Sequence, residues 1–159
     1  MHMNLYIKQK VFTWGDKFSI YDAGGNERYF VKGEVFTFGK KLHLYALNGE
    51  ELAYIEQKVF SFLPKYYVFK GERQAAEVIK EFTFFKQEYT VRGPEWRVHG
   101  DFFDHSYEVT DGMRSIASVS REWFTLGDAY EIDLCEGVDE VLAVAVCLVI
   151  DACIDAQND

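Results

Sequence analysis

The sequence predicts an all-β fold, a closed barrel of about twelve antiparallel strands that encloses one apolar C-terminal helix. Three observations predict this fold. Short segments of alternating polar and apolar residues recur along most of the chain, similar meander units repeat within it, and one long apolar segment follows near the C-terminus. We therefore expect a single domain over residues 1–159, with the barrel at about 4–136 and the central helix at about 139–155.

Turn residues divide the N-terminal part of the chain into short strands, at a spacing typical of all-β proteins. Asn48-Gly49 and Asp111-Gly112 are dipeptides that favour tight hairpins. Segment 74–79 is also compatible with a helix because of its alanines, but we predict a strand there. The predicted strands cover residues 6–12, 17–21, 27–31, 34–38, 42–46, 52–62, 66–69, 74–79, 82–85, 88–91, 95–101, 106–110, 114–122 and 129–134.

An internal repeat supports the barrel. Residues 6–13 (YIKQKVFT) recur as residues 54–61 (YIEQKVFS), and the tripeptide FTF at residues 36–38 recurs at residues 82–84. Each copy is a meander whose turns contain glycine. A unit of this size cannot bury its own apolar face, so the copies are expected to pack together.

The C-terminal segment 139–155 reads DEVLAVAVCLVIDACID. A transmembrane helix is excluded because such a helix needs about 20 apolar residues. A buried strand is the alternative, since several residues are β-branched. We predict a helix because leucine and alanine tolerate it, and because Asp139 and Glu140 would lie at its positive end.

A helix that is apolar on all sides must be buried on all sides, so we place this helix inside the barrel. At about 1.5 Å per residue its length is close to that of strands of about eight residues. Asp151 and Asp155 lie one turn apart near its C-terminus, where the helix dipole disfavours anions. We therefore expect both carboxylates to mark the point at which the helix emerges into water.

The net charge of −9 comes from the C-terminal part of the chain. Residues 128–159 contain nine acids and no lysine or arginine, and the other 17 acids balance the 17 bases. The bases are scattered along the sequence. This pattern excludes a basic stripe for nucleic acid and disfavours an anionic membrane surface as partner.

Cys135, Cys147 and Cys153 are odd in number and lack the spacing of metal ligands. We expect them to be small buried residues in a reducing compartment. Met1-His2 is interpreted as a possible cloning remnant before a native start at Met3. No signal peptide is recognised, and we expect a cytoplasmic protein.

His99, Asp101 and His105 would share one face of an unbroken strand, and these residue types bind metals. The competing interpretation is a solvated strand face that ends in a turn near Asp104, with Gly100 breaking the register. Asp101 and Asp104 could also form a carboxylate pair for acid–base chemistry, although carboxylates in turns are far more common. We therefore predict neither a metal site nor a catalytic site.

Other motifs are weaker. Residues 24–26 (GGN) form a turn without the Gly-Lys-Ser/Thr of a phosphate loop. Alternating serines on one strand lack the context of a nucleophile elbow. Tryptophans could stack on bases or sugars, but we interpret them as packing residues. These serines and tryptophans are Ser115, Ser118, Ser120, Trp14, Trp96 and Trp123.

The chain resembles the LURP-one-related family, which shares a fold with the tubby C-terminal domain and the phospholipid scramblases. The resemblance rests on residues 100–104 (GDFFD), 107–109 (YEV) with 111–112 (DG), 116–121 (IASVSR) and 130–132 (YEI), followed by the apolar segment 141–154. It implies a barrel of about twelve strands around a central C-terminal helix. It implies no catalytic motif, and the basic positions behind lipid binding by tubby-like proteins have no match here.

From these observations we expect a non-enzymatic binding domain that presents its loops to a protein or lipid partner, without a cofactor. Peripheral binding of lipid or phosphoinositide is the first alternative, and an unrecognised enzyme or metal-binding protein is the second. A cluster of lysine and arginine assembled from distant loops would favour the lipid alternative. The sequence predicts no oligomeric state.

Overall fold

The computed structural model describes residues 2–7, 17–34, 38–82, 86–124 and 127–158. It confirms the predicted fold class, since twelve antiparallel strands form a closed barrel around one helix. The strands are β1 (His2–Ile7), β2 (Lys17–Asp22), β3 (Glu27–Gly33), β4 (Lys41–Ala46), β5 (Glu51–Gln57), β6 (Lys65–Lys70), β7 (Arg73–Phe82), β8 (Gln87–Arg92), β9 (Trp96–Asp101), β10 (Ser106–Thr110), β11 (Ser115–Phe124) and β12 (Gly127–Cys135).

Each strand pairs with its neighbours in sequence, and β1 pairs with β12 to close the barrel. The alternation in sequence determines which side chains face inward. In β4, for example, Leu42 and Leu44 are buried inside the barrel, whereas His43 and Tyr45 lie on the outer face. Because the sheet is closed, no described strand edge is left unpaired.

Several predicted strands differ from the observed ones at their ends. Segment 52–62 was predicted as one strand, but β5 ends at Gln57 because the chain turns at Val59 and Phe60. Segment 34–38 was also predicted as a strand, but Glu34 follows the end of β3 and Phe38 lies in a bend. Segment 74–79 is confirmed as part of β7. The predicted residues 8–12, 35–37 and 83–85 lie outside the described residues.

The helix α1 spans Glu140–Asn158 and runs through the centre of the barrel. It begins with a cap, because the Asp139 side chain accepts a hydrogen bond from the Leu142 amide at 3.1 Å. Lys70 and Arg28 bind the carboxylates of Asp139 and Glu140 at 2.9 and 3.1 Å. Residues 142–154 are buried, which confirms the predicted central placement.

The prediction that Asp151 emerges into water is wrong. Asp151 is only 2% exposed, and the hydroxyl of Tyr107 lies 3.1 Å from its carboxyl group. Asp155 is half-buried and Ala156 is exposed, so the helix reaches solvent one turn later than predicted. Tyr107 of strand β10 covers Asp151, and the sequence of the helix alone could not indicate this contact.

The two ends of the barrel have different connections. The end at which α1 begins, here called the entry end, contains the connections at residues 23–26, 47–50, 71–72, 93–95, 111–114 and 136–139. The opposite end, at which α1 finishes, is here called the exit end. Its described connecting residues are 34, 38–40, 58–64, 86 and 102–105. Within the described part of the chain, no helix combines the length and apolar character needed to cross a membrane.

Candidate binding surface at the exit end

Three phenylalanine side chains project into solvent from neighbouring connections at the exit end. Phe38, Phe60 and Phe62 are 81%, 93% and 99% exposed, and we call them the aromatic patch. The ring centroids of Phe38 and Phe60 lie 6.3 Å apart. The patch borders a groove of about 480 Å³ formed by residues 38–39 and 57–64. Exposed apolar clusters of this kind mark interaction sites in many proteins.

The backbone around the aromatic patch is fixed by hydrogen bonds. The Lys58 amide donates to the Lys65 carbonyl at 2.8 Å, and the Lys80 amide donates to the Pro64 carbonyl at 3.0 Å. Phe60 has a φ of 59°, a conformation that costs a non-glycine residue about 1–2 kcal/mol. The fold thus holds a bulky, exposed ring in a strained backbone conformation.

The barrel gathers lysines that are scattered in the sequence. Strand direction alternates around the barrel, so residues from the start of one strand and the end of the next meet at the same end. Eight lysines lie at the exit end in this way: Lys17, Lys32, Lys40, Lys41, Lys58, Lys65, Lys80 and Lys86. The fold thus brings together lysines that are scattered in the sequence, alongside acids at the same end such as Glu34, Asp101 and Asp104.

These lysines differ in their partners. Lys65 forms an ion pair with Glu77 at 3.0 Å, and Lys40 donates to the carbonyl of Ala152 at 3.2 Å. The Lys40 contact places a positive charge at the C-terminal end of α1, where the dipole favours it. Lys58, which lies next to the aromatic patch, is exposed.

The three residues of the predicted metal candidate do not converge. His99 and Asp101 are exposed, whereas His105 is buried and lies beyond the end of β9. His105 has a φ of 53°, and its Nδ1 accepts a hydrogen bond from Arg121 at 3.2 Å. Strand β9 ends at Asp101, so the assumed unbroken register does not exist. Among the described residues, no group of three or more potential ligands is arranged to hold a metal ion.

Asp101 and Asp104 form a turn. The Asp101 side chain accepts a hydrogen bond from the Asp104 amide at 3.2 Å, and both carboxylates are exposed. Residues 24–26 also form a turn, in which the Asp22 carboxylate accepts bonds from the amides of Gly24 and Asn26. These bonds, with that from Asn26 the strongest, lower the pKa of Asp22.

The cysteines, tryptophans and serines considered as candidates differ in their burial. Cys147 and Cys153 are buried, Cys135 is half-buried, and all three are free thiols. Trp96 is buried as predicted, whereas Trp14 and the side chain of Trp123 lie outside the described residues. The three serines lie along β11, where Ser115 and Ser118 are half-buried and Ser120 is exposed.

A band of aromatic residues crosses the outer face of β3 to β6. His43 lies within it, and its two ring nitrogens contact the carboxylates of Glu34, at 2.7 Å, and Glu51. Burial lowers the pKa of His43, but the bonds to Glu51 and Glu34 outweigh this effect, so its pKa is raised. Phe30 stacks on Tyr45 with centroids 4.9 Å apart. The rings of such pairs cover each other, which favours a stabilising role over ligand binding.

Comparison with known proteins supports the fold. The model of the LURP-one-related family matches residues 3–151. Protein YxjI of Bacillus subtilis is 33% identical over 157 residues, a match that covers 99% of this chain and 97% of YxjI. The X-ray structure of an Arabidopsis thaliana protein is similar with a TM-score of 0.71 and 18% identity, covering 96% of this chain and 91% of that chain. The family description and the name YxjI specify no reaction.

Proposed function

The chain belongs to the LURP-one-related family, and from this premise we propose that it is a non-enzymatic binding domain. The filled interior supports the proposal, because α1 occupies the centre of the barrel and leaves ligands to bind at the ends or on the outer face. A location in a reducing compartment such as the cytoplasm is part of the proposal, since the three cysteines are free.

The exit end is the proposed binding surface. The observation that carries this assignment is the aromatic patch, because three almost fully exposed phenylalanines cost solubility and contribute little to packing. Among the described residues of the entry end, the exposed large apolar side chains are non-aromatic: Met3, Leu47 and Met113.

An anionic lipid surface is the occupant that we favour. Aromatic side chains insert at the interface between head groups and acyl chains, and each lysine near an anionic membrane contributes about 1 kcal/mol. The exit end combines both features, since Lys58 is exposed beside Phe60 and Phe62. This partner was disfavoured because the bases are scattered along the sequence, but the fold brings eight of the lysines together at the docking end.

Vesicle flotation tests this proposal. We expect binding to vesicles that contain phosphatidylglycerol, weaker binding to pure phosphatidylcholine, and loss of the difference at high salt. Replacing Phe60 and Phe62 together by serine should weaken binding at least tenfold, because burying one phenylalanine contributes about 1.5–3 kcal/mol. Lys58→Glu should weaken binding to anionic vesicles selectively.

Met113→Ser is the matched control, because Met113 is 95% exposed at the opposite end of the barrel. It should bind vesicles like the wild-type protein. Absence of binding to either vesicle type would exclude a lipid surface as the occupant. Binding that Met113→Ser weakens as much as the phenylalanine substitutions do would instead exclude the exit end as the docking surface.

A further inference from the structure

Asp151 is an ionisable residue inside the apolar core. It lies within the buried part of α1, residues 142–154, and is 2% exposed. Neither the proposed binding surface nor the packing of the barrel requires a carboxyl group at this position. A buried carboxylate without a cationic partner is costly, so its hydrogen bonds determine the form in which it is present.

The contacts of Tyr107 fit a protonated Asp151. The Tyr107 hydroxyl oxygen lies 3.1 Å from Asp151 Oδ1 and 3.2 Å from the carbonyl oxygen of Cys147. A hydroxyl has one hydrogen, and a carbonyl can only accept. If Tyr107 donates to Cys147, a protonated Asp151 can donate to Tyr107, and every hydrogen then has an acceptor. An ionised Asp151 would leave two acceptors competing for one hydrogen.

The surroundings of Asp151 also favour its protonated form. Burial raises the pKa of Asp151 to about 8, the bond from Tyr107 lowers it, and the nearby Asp155 raises it. Burial also raises the pKa of Tyr107 well above its ordinary value, so its hydroxyl keeps its hydrogen. Asp151 further lies in the C-terminal part of α1, where the helix dipole opposes a negative charge.

Other groups surround this part of the helix. Strands β5 and β7 present apolar side chains to it, namely Ala53, Ile55, Ala76 and Val78. The titratable or charged groups on the packed elements are Tyr66 of β6, Tyr89 of β8, Tyr107 of β10, Arg121 of β11, Tyr130 of β12, His105, Lys40, Lys80, and the helix residues Cys147, Cys153 and Asp155. Arg121 contacts His105 and Tyr130.

We propose that the pair Asp151–Tyr107 is a proton-controlled switch that fixes the C-terminal end of α1 inside the barrel. With its proton, Asp151 closes the hydrogen-bonded chain to Cys147. When the O–H bond of the carboxyl group breaks and the proton passes to water, the remaining carboxylate is stable only where water reaches it. The exit is close, because Ala156 is already exposed. The last turns of α1 then open toward the exit end, and the Lys40 contact with Ala152 is released.

The direction of the pH effect follows from the raised pKa. The closed form holds the proton more tightly than the open form, in which Asp151 has an ordinary carboxyl pKa of about 3.9. The closed form is therefore favoured most at low pH, and its advantage is lost as the pH rises toward 8. Because one proton is released, opening should become about tenfold more frequent per pH unit between pH about 4 and pH about 8, and it should be constant above that range.

Amide hydrogen exchange measured as a function of pH tests the switch. After correction for intrinsic exchange, protection of residues 151–156 in the wild-type protein should fall about tenfold per pH unit from about 4 to about 8. Asp151→Asn cannot ionise and has nearly the same shape, so its protection should not depend on pH in this range. Asp155→Asn is the matched control, because it removes a neighbouring half-buried acid and should retain the wild-type slope.

A carboxyl carbon NMR titration of wild-type protein gives a second, independent readout. An Asp151 midpoint near 8 supports the switch, even if Asp151→Asn does not fold. A midpoint near the ordinary value of about 3.9 would overturn it, as would an unchanged slope in folded Asp151→Asn. Neither measurement involves lipid, so the result is independent of the proposed function.

Discussion

The two ends of the barrel differ in how often glycine occupies the positive-φ positions of their connections. At the entry end, short connections turn at glycines with positive φ: Gly25, Gly49, Gly71, Gly93, Gly112 and Gly137. Glu95, in the same entry-end connection as Gly93, also adopts positive φ. At the exit end Gly39, Phe60 and His105 do so, and the last two have bulky side chains. Glycine accepts this conformation without steric cost, whereas other residues do not. Bulky residues in this conformation are therefore not confined to the exit end, but among the described connections they outnumber glycine only there, and strain of this kind is often found at functional sites.

The two ends also differ in how their charged residues are arranged. The entry end pairs its charges around the start of α1, where Lys70 contacts Asp139 and Arg28 contacts Glu140. Most described lysines lie at the exit end, and one of them, Lys58, adjoins the aromatic patch. The charges of the entry end therefore anchor the start of α1, and the exit end is the surface that we propose for binding.

The largest loss of stability is expected from placing a charge in the core, which extends from one end of the barrel to the other. Leu148 is completely buried in α1, about one turn before Asp151. Leu148→Asp should prevent folding, because an unpaired buried carboxylate costs several kcal/mol of a total stability of about 5–15 kcal/mol. Circular dichroism and thermal melting would detect the loss.

Leu47→Asp is the control for this prediction. Leu47 is exposed in an entry-end turn, so the same substitution there should change stability by no more than about 0.5 kcal/mol. A Leu148→Asp protein that melts cooperatively at the wild-type temperature would contradict the central role of the helix.

The fold was predictable because its signals are local. Alternation within each strand, hairpin dipeptides such as Asn48-Gly49 and one uninterrupted apolar helix each act over a few residues. Their combination permits few arrangements, and a barrel around a helix is one of them. Strand ends were predicted less well, since segment 52–62 continues to look strand-like beyond Gln57, where tertiary hydrogen bonds and the turn at Phe60 end the strand.

The candidate site was not predictable, because it depends on distant contacts. The lysines of the exit end are spread from Lys17 to Lys86 and meet only when alternate strand ends come together. Asp151 was expected in water because its cover, Tyr107, is 44 residues away. The three residues of the metal candidate were close in sequence, but the end of β9 separates them in space.

An intermediate effect is expected from crowding an entry-end turn. Gly93 has a φ of 114°, and a Cβ added there would lie 2.3 Å from the carbonyl oxygen of Ala75. Gly93→Ala should destabilise the protein by about 2–4 kcal/mol, through backbone strain and steric overlap together. Urea denaturation measures the change.

Gly49→Ala separates the two contributions to that effect. Gly49 has a φ of 91°, but a Cβ added there meets no atom within 4 Å. Its cost should be the conformational strain alone, about 1–2 kcal/mol. Equal losses for the two substitutions would show that the close contact with Ala75 does not restrict the turn.

The smallest effect on stability is expected at the exit end, from replacing the strained residue Phe60. Phe60→Gly removes backbone strain of about 1–2 kcal/mol, while glycine adds about 0.5–1 kcal/mol of entropy cost on folding. Losing the ring contact with Phe38 removes about 0.5–1 kcal/mol more. The free energy of unfolding measured in urea should therefore remain within about 1 kcal/mol of wild type, although this substitution removes a ring that the proposed binding requires.

Met113→Gly is the matched control for Phe60→Gly. Met113 is as exposed as Phe60 but is not among the residues with positive φ, so glycine there relieves no strain and should cost about 0.5–1 kcal/mol. If Phe60→Gly is instead destabilising by more than about 2 kcal/mol, the ring supports the barrel, and its exposure is not a functional feature. If stability is preserved and vesicle binding is lost, the strain at Phe60 is retained for binding, and the difference between the two ends is functional in origin.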